Sequence, residues 1–460
     1  MSSKNHSKYI IVGSGIAGLT AAVKLKEQNL DYLILEKQNR IAGTWKSHKY
    51  KNSIIEFGPN TVLNKSSELE KLIQIAGLQD MTLSSELKKN KRYIFKGLSF
   101  HEVSSNPLQI LFSKLISLEA KLKILQEPFI KKADIEDESV YDFFERRFGK
   151  EVAQYLIAPA LQGVWGGDIK QLNMQACMSS IKELEEKHSS VIKGFLQKKK
   201  TKKQIKSLSF KNGLEELCLK LGTFLGIENF QFSQELVDVK KENNLFKVTT
   251  NAKENNVYYC EKLILACPSF ASARALKNFN TKLSEALAKI YYAPIFLSAF
   301  SIKEKVSSDF FNAFGFLNSN QGHFTLGSIF CSSLFEERKL EEENTLLSFL
   351  GGAKNPQILD FNKAELEKIA QEELQEILQN KISTQFTCDL IHSELIERAI
   401  PQYNNDYWQA QKIISSELTK EPCLALIGNY LNGVSITDTI ENSSKLTKKL
   451  IENRGAMIET

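Results

Sequence analysis

Apolar runs and alternations divide the chain into elements before any chemistry is considered. Tyr9-Ile-Ile-Val12 and Tyr32-Leu-Ile-Leu35 are short continuous apolar runs of the kind buried on both faces of a parallel sheet. Between them the chain turns helical through Lys26. A third such run, Lys262-Leu-Ile-Leu-Ala-Cys-Pro268, ends at a proline. Just before it, 235–239 and 245–249 read as two strands of a hairpin about Asn243-Asn244. Leu69, Leu72, Ile73 and Ala76 recur at helical spacing, opened by a capping box at Ser67-Glu-Leu-Glu70 and closed by Gly77. From 106 to 206 the pattern is helical. Leu108, Leu111, Phe112, Leu115, Ile116, Leu118, Leu122 and Leu125 form an apolar series interleaved with lysines. That series suits a membrane interface and equally suits a helix pair facing a core.

Composition narrows the class. Of 460 residues, 42% are hydrophobic and 25% charged, which excludes a disordered chain, a collagen-like fibre and a coiled coil. At this length two or three domains are expected. The net charge is +6, and only eight residues are arginine, so lysine supplies most of the positive charge. Lysines concentrate at 193–206, a stretch without acids that suits a solvated loop or anionic headgroups; without interleaved aromatics it does not suit nucleic acid. Seven scattered cysteines with no CxxC pair fit a reducing compartment rather than disulfides or zinc. The six histidines form no metal-binding pattern, and no metal is expected. The start, MSSKNHSKYIIVG, lacks the features of a signal peptide. The longest uncharged segment, 310–335, is broken by asparagines, a glutamine and a histidine, so no membrane-spanning helix is expected. The expectation is a cytoplasmic protein, peripheral on the inner face of the cell membrane.

The strongest local chemistry lies at the start. Directly after the first run comes Gly13-Ser14-Gly15-Ile16-Ala17-Gly18, and the second run ends at Glu36-Lys37. Gly13 permits a tight turn, Gly15 lets backbone approach a pyrophosphate, and Gly18 allows close helix–strand packing. The N–H groups at the helix start bind the pyrophosphate, and Glu36 is placed for a ribose hydroxyl. An acid at this strand end disfavours the 2′-phosphate of NADP. Arg40-Ile-Ala-Gly43-Thr44-Trp-Lys46-Ser47 and then Ile55-Glu-Phe-Gly58-Pro59 resemble the second fingerprint of FAD-dependent amine-oxidase-like proteins. The resemblance implies FAD, with Gly43, Thr44, Lys46, Gly58, Pro59, Asn60 and Thr61 at the cofactor. Ala42 replaces the first glycine of the pair, Lys46 stands where arginine is usual, and Asn60 where a basic residue is common.

Further along, Pro159-Ala-Leu-Gln-Gly163-Val-Trp-Gly-Gly-Asp168 with Leu172, the segments 313–317, 326–330 and 332–338, Ile400-Pro-Gln-Tyr403 with Trp408, and Leu426-Ile-Gly428-Asn429 through Asp438 occur in the order found in protoporphyrinogen oxidases. The chain resembles that family from about residue 8 to residue 451. The resemblance implies an α/β (α+β overall) architecture. Its parts would be a two-fingerprint Rossmann-type FAD-binding domain (1–65, 207–270 and 395–460), a mixed-sheet substrate domain (66–100 and 271–394) and a helical membrane-associating domain (101–206). It also implies oxidation of protoporphyrinogen IX by hydride transfer to FAD in three rounds, with oxygen as acceptor and hand-off of the product to a ferrochelatase. Arg92 would pair with a propionate, and Phe314, Phe316 and Leu326 would line an apolar slot. Val434, Ser435 and Ile436 would present a helix start to the flavin, and Trp408 would wall it. No residue reads as a dedicated acid or base, which suits flavin chemistry. Coproporphyrinogen III oxidation, another amine-oxidase-like activity, and a flavin- or lipid-binding scaffold are the alternatives.

Overall fold

The computed structural model describes residues 5–86, 91–103, 113–197, 205–254, 256–304, 309–382 and 385–452. Two seven-stranded sheets organise these residues. In the first, the spatial order is Phe230–Gln231, Tyr32–Leu35, His6–Val12, Val257–Leu265, Leu245–Thr250 and Leu236–Glu242, with Leu424–Leu426 also on Val257–Leu265. The apolar runs form its parallel centre. Alternate side chains of one strand feed two layers. Tyr9 and Ile11 pack with the helices Ile16–Glu27 and Ile436–Ile451. Ile10 and Val12 pack with the opposite layer, which includes the helix Asn405–Thr419. Burial on both faces is why these strands need no polar alternation. The hairpin turns at Asn243 (φ +50°) and Asn244 (φ +66°), a backbone that asparagine tolerates.

The second sheet runs in the order Phe386–Pro401, Tyr292–Glu304, Asn344–Gly351, Thr325–Phe330, Gly315–Asn318, Arg92–Lys96 and Ser99–Val103. Its back is closed by the helix Lys363–Gln379, whose Leu366, Ala370, Leu374 and Ile377 meet a cluster holding Phe95, Phe296, Phe300, Phe316 and Phe330. Its front carries Ile295, Leu297, Leu326 and Leu347, which pack with Ile55 and Phe57 of the second fingerprint. This front face is where the second fingerprint meets the second sheet.

Residues 113–197 form a helical segment around Val140, Phe143, Leu161 and Trp165. Arg147 and Glu127 are an ion pair buried completely at its centre. The Glu127 carboxylate also accepts from the N–H groups of Val191 and Ile192 at the start of the helix Val191–Gln197. Within the apolar series, Leu115 and Ile116 are buried, whereas Leu118 is 77% exposed; Phe129, just beyond the series, is 85% exposed. Leu122, Leu125, Phe195 and Leu196 are also exposed. Leu108, Leu111, Phe112 and the lysines at 198–203 lie outside the described residues. No helix among the described residues is long and apolar enough to cross a membrane. The capping box was expected one residue late, since Ser66 caps the helix Ser67–Ile75 by accepting from Leu69 N–H.

Candidate cofactor and substrate site

The glycine turn between the first strand and helix is closed by its own backbone. A Cβ at Gly18 would lie 2.0 Å from the Gly13 carbonyl oxygen, and Gly13 has φ +109°. Only glycine fits both demands. At Gly15 a Cβ would meet nothing nearer than the Gly43 Cα at 4.0 Å, so backbone is open to close approach there. Ile16 and Ala17 are buried and begin the helix. The buried Glu36 carboxylate ties the turn to the second strand: Oε2 accepts from Ser14 N–H (2.8 Å) and Ser14 Oγ (2.7 Å), and Oε1 accepts from Gln38 N–H (2.9 Å). Oε1, with one bond, keeps a further lone pair for a ribose hydroxyl. Lys37 is exposed beside it.

The second fingerprint meets the first at glycine, a Cβ on Gly43 (φ +58°) falling 3.1 Å from the Gly15 Cα. Ala42, in the place of the pair's first glycine, has φ +92°, a conformation that favours glycine. Arg40 holds the loop. Its Nη1 donates to the Gly43 carbonyl (2.7 Å), and its Nη2 donates to the Trp45 carbonyl and to Glu215 Oε1 (2.6 Å). Glu215 also accepts from Ser47 N–H (3.0 Å), while Ser47 Oγ donates to Glu56 Oε2 (2.6 Å). Burial raises the Glu56 carboxyl above its ordinary pKa, against the hydrogen bond from Ser47 and the nearby Arg338. Lys46, expected at the cofactor, instead points to Glu394 on the second sheet (2.5 Å), and Arg40 supplies the guanidinium of this loop. Thr44 is exposed; Pro59, Asn60 and Thr61 are half-buried, and Asn60 Nδ2 donates to the Gly58 carbonyl (3.2 Å).

The C-terminal turn runs from Gly428 and Asn429 into Gly433, Val434 and Ser435, and Ser435 caps the helix Ile436–Ile451 by accepting from Asp438 N–H. Among the described residues, the N–H groups of Val434 and Ser435 have no acceptor, as expected at a helix start. Tyr403 touches this turn, its hydroxyl bonding Asn429 and Gly433, with Trp165 edge-on to its ring at 6.3 Å, and the Tyr407 hydroxyl bonds the Asn432 backbone beside it. Trp408, expected here, lies one helical turn further on beneath Lys412 (5.7 Å). Tyr403 and Tyr407 occupy the inward positions of that segment and leave Trp408 partly exposed.

On the second sheet, Arg92 and Phe314 come together: the guanidinium is 4.9 Å from the ring centroid. Among the described residues no carboxylate pairs with Arg92, and burial lowers its pKa from the ordinary value. Phe314 packs with Leu83, Leu334, Phe335 and Ile329. Phe316 corrects the expectation, because it points away from the front and is 3% exposed in the cluster behind the sheet. Strand alternation decides this, since Tyr93 and Phe95 on the neighbouring strand share that back layer. Leu326 is on the front because a bulge between Thr325 and Gly327 inserts it as an extra residue. Ile329 and Phe349, half-buried on the same front, were missed. Each lies in an apolar strand whose core-facing and open sides are indistinguishable in composition.

The N–H groups of the cradle at 13–18 and of the helix start at Ser435 as donors, with the Glu36 carboxylate as acceptor, fit a dinucleotide cofactor. Among the described residues no group of three or more His, Cys, Asp or Glu could hold a metal ion.

Residues 16–443 match the family model of flavin containing amine oxidoreductases. Protoporphyrinogen oxidase 2, chloroplastic/mitochondrial, from Arabidopsis thaliana is 26% identical across 96% of this chain and 93% of its own length. Coproporphyrinogen III oxidase from Staphylococcus aureus is 24% identical across 96% of this chain and 98% of its own. A crystal structure of an Exiguobacterium protein superposes with a TM-score of 0.78 at 19% identity, covering 98% of this chain and 100% of that one.

Proposed function

The chain belongs to the flavin containing amine oxidoreductases and is an FAD-dependent oxidoreductase, and from that premise we propose that it oxidises a porphyrinogen in haem biosynthesis, protoporphyrinogen IX in the first instance. When bound, FAD supplies the hydride acceptor. What the chain must add is placement. The observation that carries the reading is Arg92: a half-buried guanidinium without a carboxylate partner among the described residues, at the end of an apolar sheet face. A planar fork beside apolar side chains suits an apolar macrocycle bearing propionates. Phe314, Ile329, Leu326 and Phe349 would hold the ring system by contact and exclude water. Gly13, Ser14, Gly15, Gly18 and Glu36 would hold the adenosine and pyrophosphate part, and Gly43, Gly58, Pro59, Val434 and Ser435 the ring end. Oxygen is the proposed acceptor of the electrons, and a ferrochelatase the proposed recipient of the product.

A second reading, oxidation of coproporphyrinogen III, is favoured by the likeness to the Staphylococcus aureus enzyme. Porphyrin fluorescence during turnover of each porphyrinogen, in air and under nitrogen, separates the two. Faster turnover of protoporphyrinogen IX, with multiple turnovers only in air, is expected. Preference for the four-carboxylate substrate overturns the choice of substrate, and undiminished turnover under nitrogen overturns oxygen as acceptor.

The chain is also proposed to lie on one membrane face. Leu118, Leu122, Leu125, Phe129, Phe195 and Leu196 are exposed side chains of one helical segment, with Lys114, Lys123, Lys131 and Lys132 among them. Apolar side chains bordered by lysine stems suit a headgroup boundary. Replacing Leu118, Leu122 and Phe129 by Ser should release the protein from anionic vesicles; unchanged binding rejects this face.

A further inference from the structure

Tyr403 has no task in the proposed chemistry, yet it is 1% exposed and tied to the turn before the last helix. Its ring stacks on Tyr407, with centroids 4.0 Å apart and planes 7° from parallel. Its hydroxyl donates to the Asn429 carbonyl (2.8 Å) and accepts from Gly433 N–H (3.0 Å). These two bonds bridge a turn containing consecutive residues of positive φ, Asn432 at +55° and Gly433 at +121°. Such a turn is seldom held by the chain's own preference and needs bonds from outside. Asn442 Nδ2 adds one to the Asn432 carbonyl (2.9 Å). The chain then passes directly into Val434, Ser435 and the helix Ile436–Ile451.

We infer that Tyr403 is a positioning residue whose hydroxyl clamps the 429–433 turn, aims the helix start at the cofactor and so sets how strongly the protein favours reduced over oxidised FAD. The inference rests on the reading that this turn meets the flavin ring. N–H groups and a helix dipole stabilise developing negative charge only if their direction is fixed beforehand. Without the hydroxyl, the Asn429 carbonyl and Gly433 N–H lose a buried partner, and the turn relaxes to recover bonds elsewhere. Burial holds the Tyr403 hydroxyl well above its ordinary pKa, so it stays a donor through the neutral range.

Tyr403→Phe removes one oxygen and keeps the ring on Tyr407. The control is Tyr258→Phe, a buried tyrosine whose hydroxyl has no hydrogen-bond partner among the described residues. Both are compared with the unaltered protein, FAD-loaded with FAD in excess, for thermal stability, amide exchange across 429–433 and the cofactor midpoint potential. Tyr403→Phe should exchange faster at the turn and lose about tenfold of its preference for reduced FAD, a fall of about 30 mV for two electrons. Tyr258→Phe should change neither. Unchanged exchange and potential in a folded Tyr403→Phe protein overturn the clamp while leaving the cofactor reading intact. Faster exchange with an unchanged potential shows that the turn does not govern the flavin, and overturns the underlying reading as well.

Discussion

The Arg92 guanidinium lies 4.9 Å from the centre of the Phe314 ring, a cation and an aromatic side chain side by side where the proposed function places a carboxylate-bearing apolar substrate. A charge-assisted contact with a propionate should contribute about 2 kcal/mol. Arg92→Ala is therefore expected to raise KM for the porphyrinogen roughly thirtyfold, with the flavin spectrum unchanged. Arg92→Lys should recover only part of this, because a point charge replaces a planar fork. Steady-state kinetics on the three proteins check both statements.

The nucleotide end depends on backbone closure rather than on side-chain charge alone. A methyl at Gly18 would meet the Gly13 carbonyl at 2.0 Å, too close for any small adjustment. Gly18→Ala should purify without bound FAD, whereas Glu36→Gln should weaken FAD by about 1–2 kcal/mol, since Ser14 N–H keeps an oxygen acceptor. Flavin fluorescence titration of the apoproteins distinguishes these outcomes.

Arg40 joins the second fingerprint to the returning chain through Gly43, Trp45 and Glu215. Removing it leaves Glu215 with a carboxylate that lacks its cation. Arg40→Ala should cost about 2 kcal/mol of stability, read as a lower urea midpoint, while Lys46→Ala, at a partly exposed pair, should change it little.

Glu68 joins the first helix, through Lys24, to the last, through Lys448. Burial alone would raise its carboxyl; the two ammonium groups overcome this and bring its pKa down to about 2. A depressed carboxyl stabilises the fold above its unfolded pKa and loses that contribution as pH falls through the folded one. The stability gap between the protein and Glu68→Gln should be constant above about pH 5 and close between about pH 4.5 and 2. Urea midpoints measured across that range test the sign.

Much of the nucleotide end was legible because its parts are adjacent in sequence: strand, Gly13 to Gly18 turn, helix, strand and Glu36. The substrate face was less so. Phe314 and Phe316 are two residues apart and would share a face in a regular strand, but Phe314 precedes the strand Gly315–Asn318 and only Phe316 packs behind the sheet. The bulge at Leu326 shifts the alternation again and leaves no mark in composition. Arg40, Tyr403 and Trp165 act through partners distant in the chain, which local spacing cannot reveal. Lys46 and Trp408 were placed by motif position; their partners, Glu394 across the chain and Lys412 one turn along the same helix, could not be read from that position.

The central claim is that FAD on this chain accepts hydride from a porphyrinogen bound along the front of the second sheet. The direct test mixes the FAD-loaded protein with protoporphyrinogen IX in the absence of oxygen and follows the flavin band near roughly 450 nm together with porphyrin fluorescence. The account predicts bleaching of the band without oxygen, each FAD taking two of the six electrons, and full porphyrin fluorescence only once air is admitted, both slowed in Arg92→Ala. A band that persists with protoporphyrinogen IX and coproporphyrinogen III alike would contradict it.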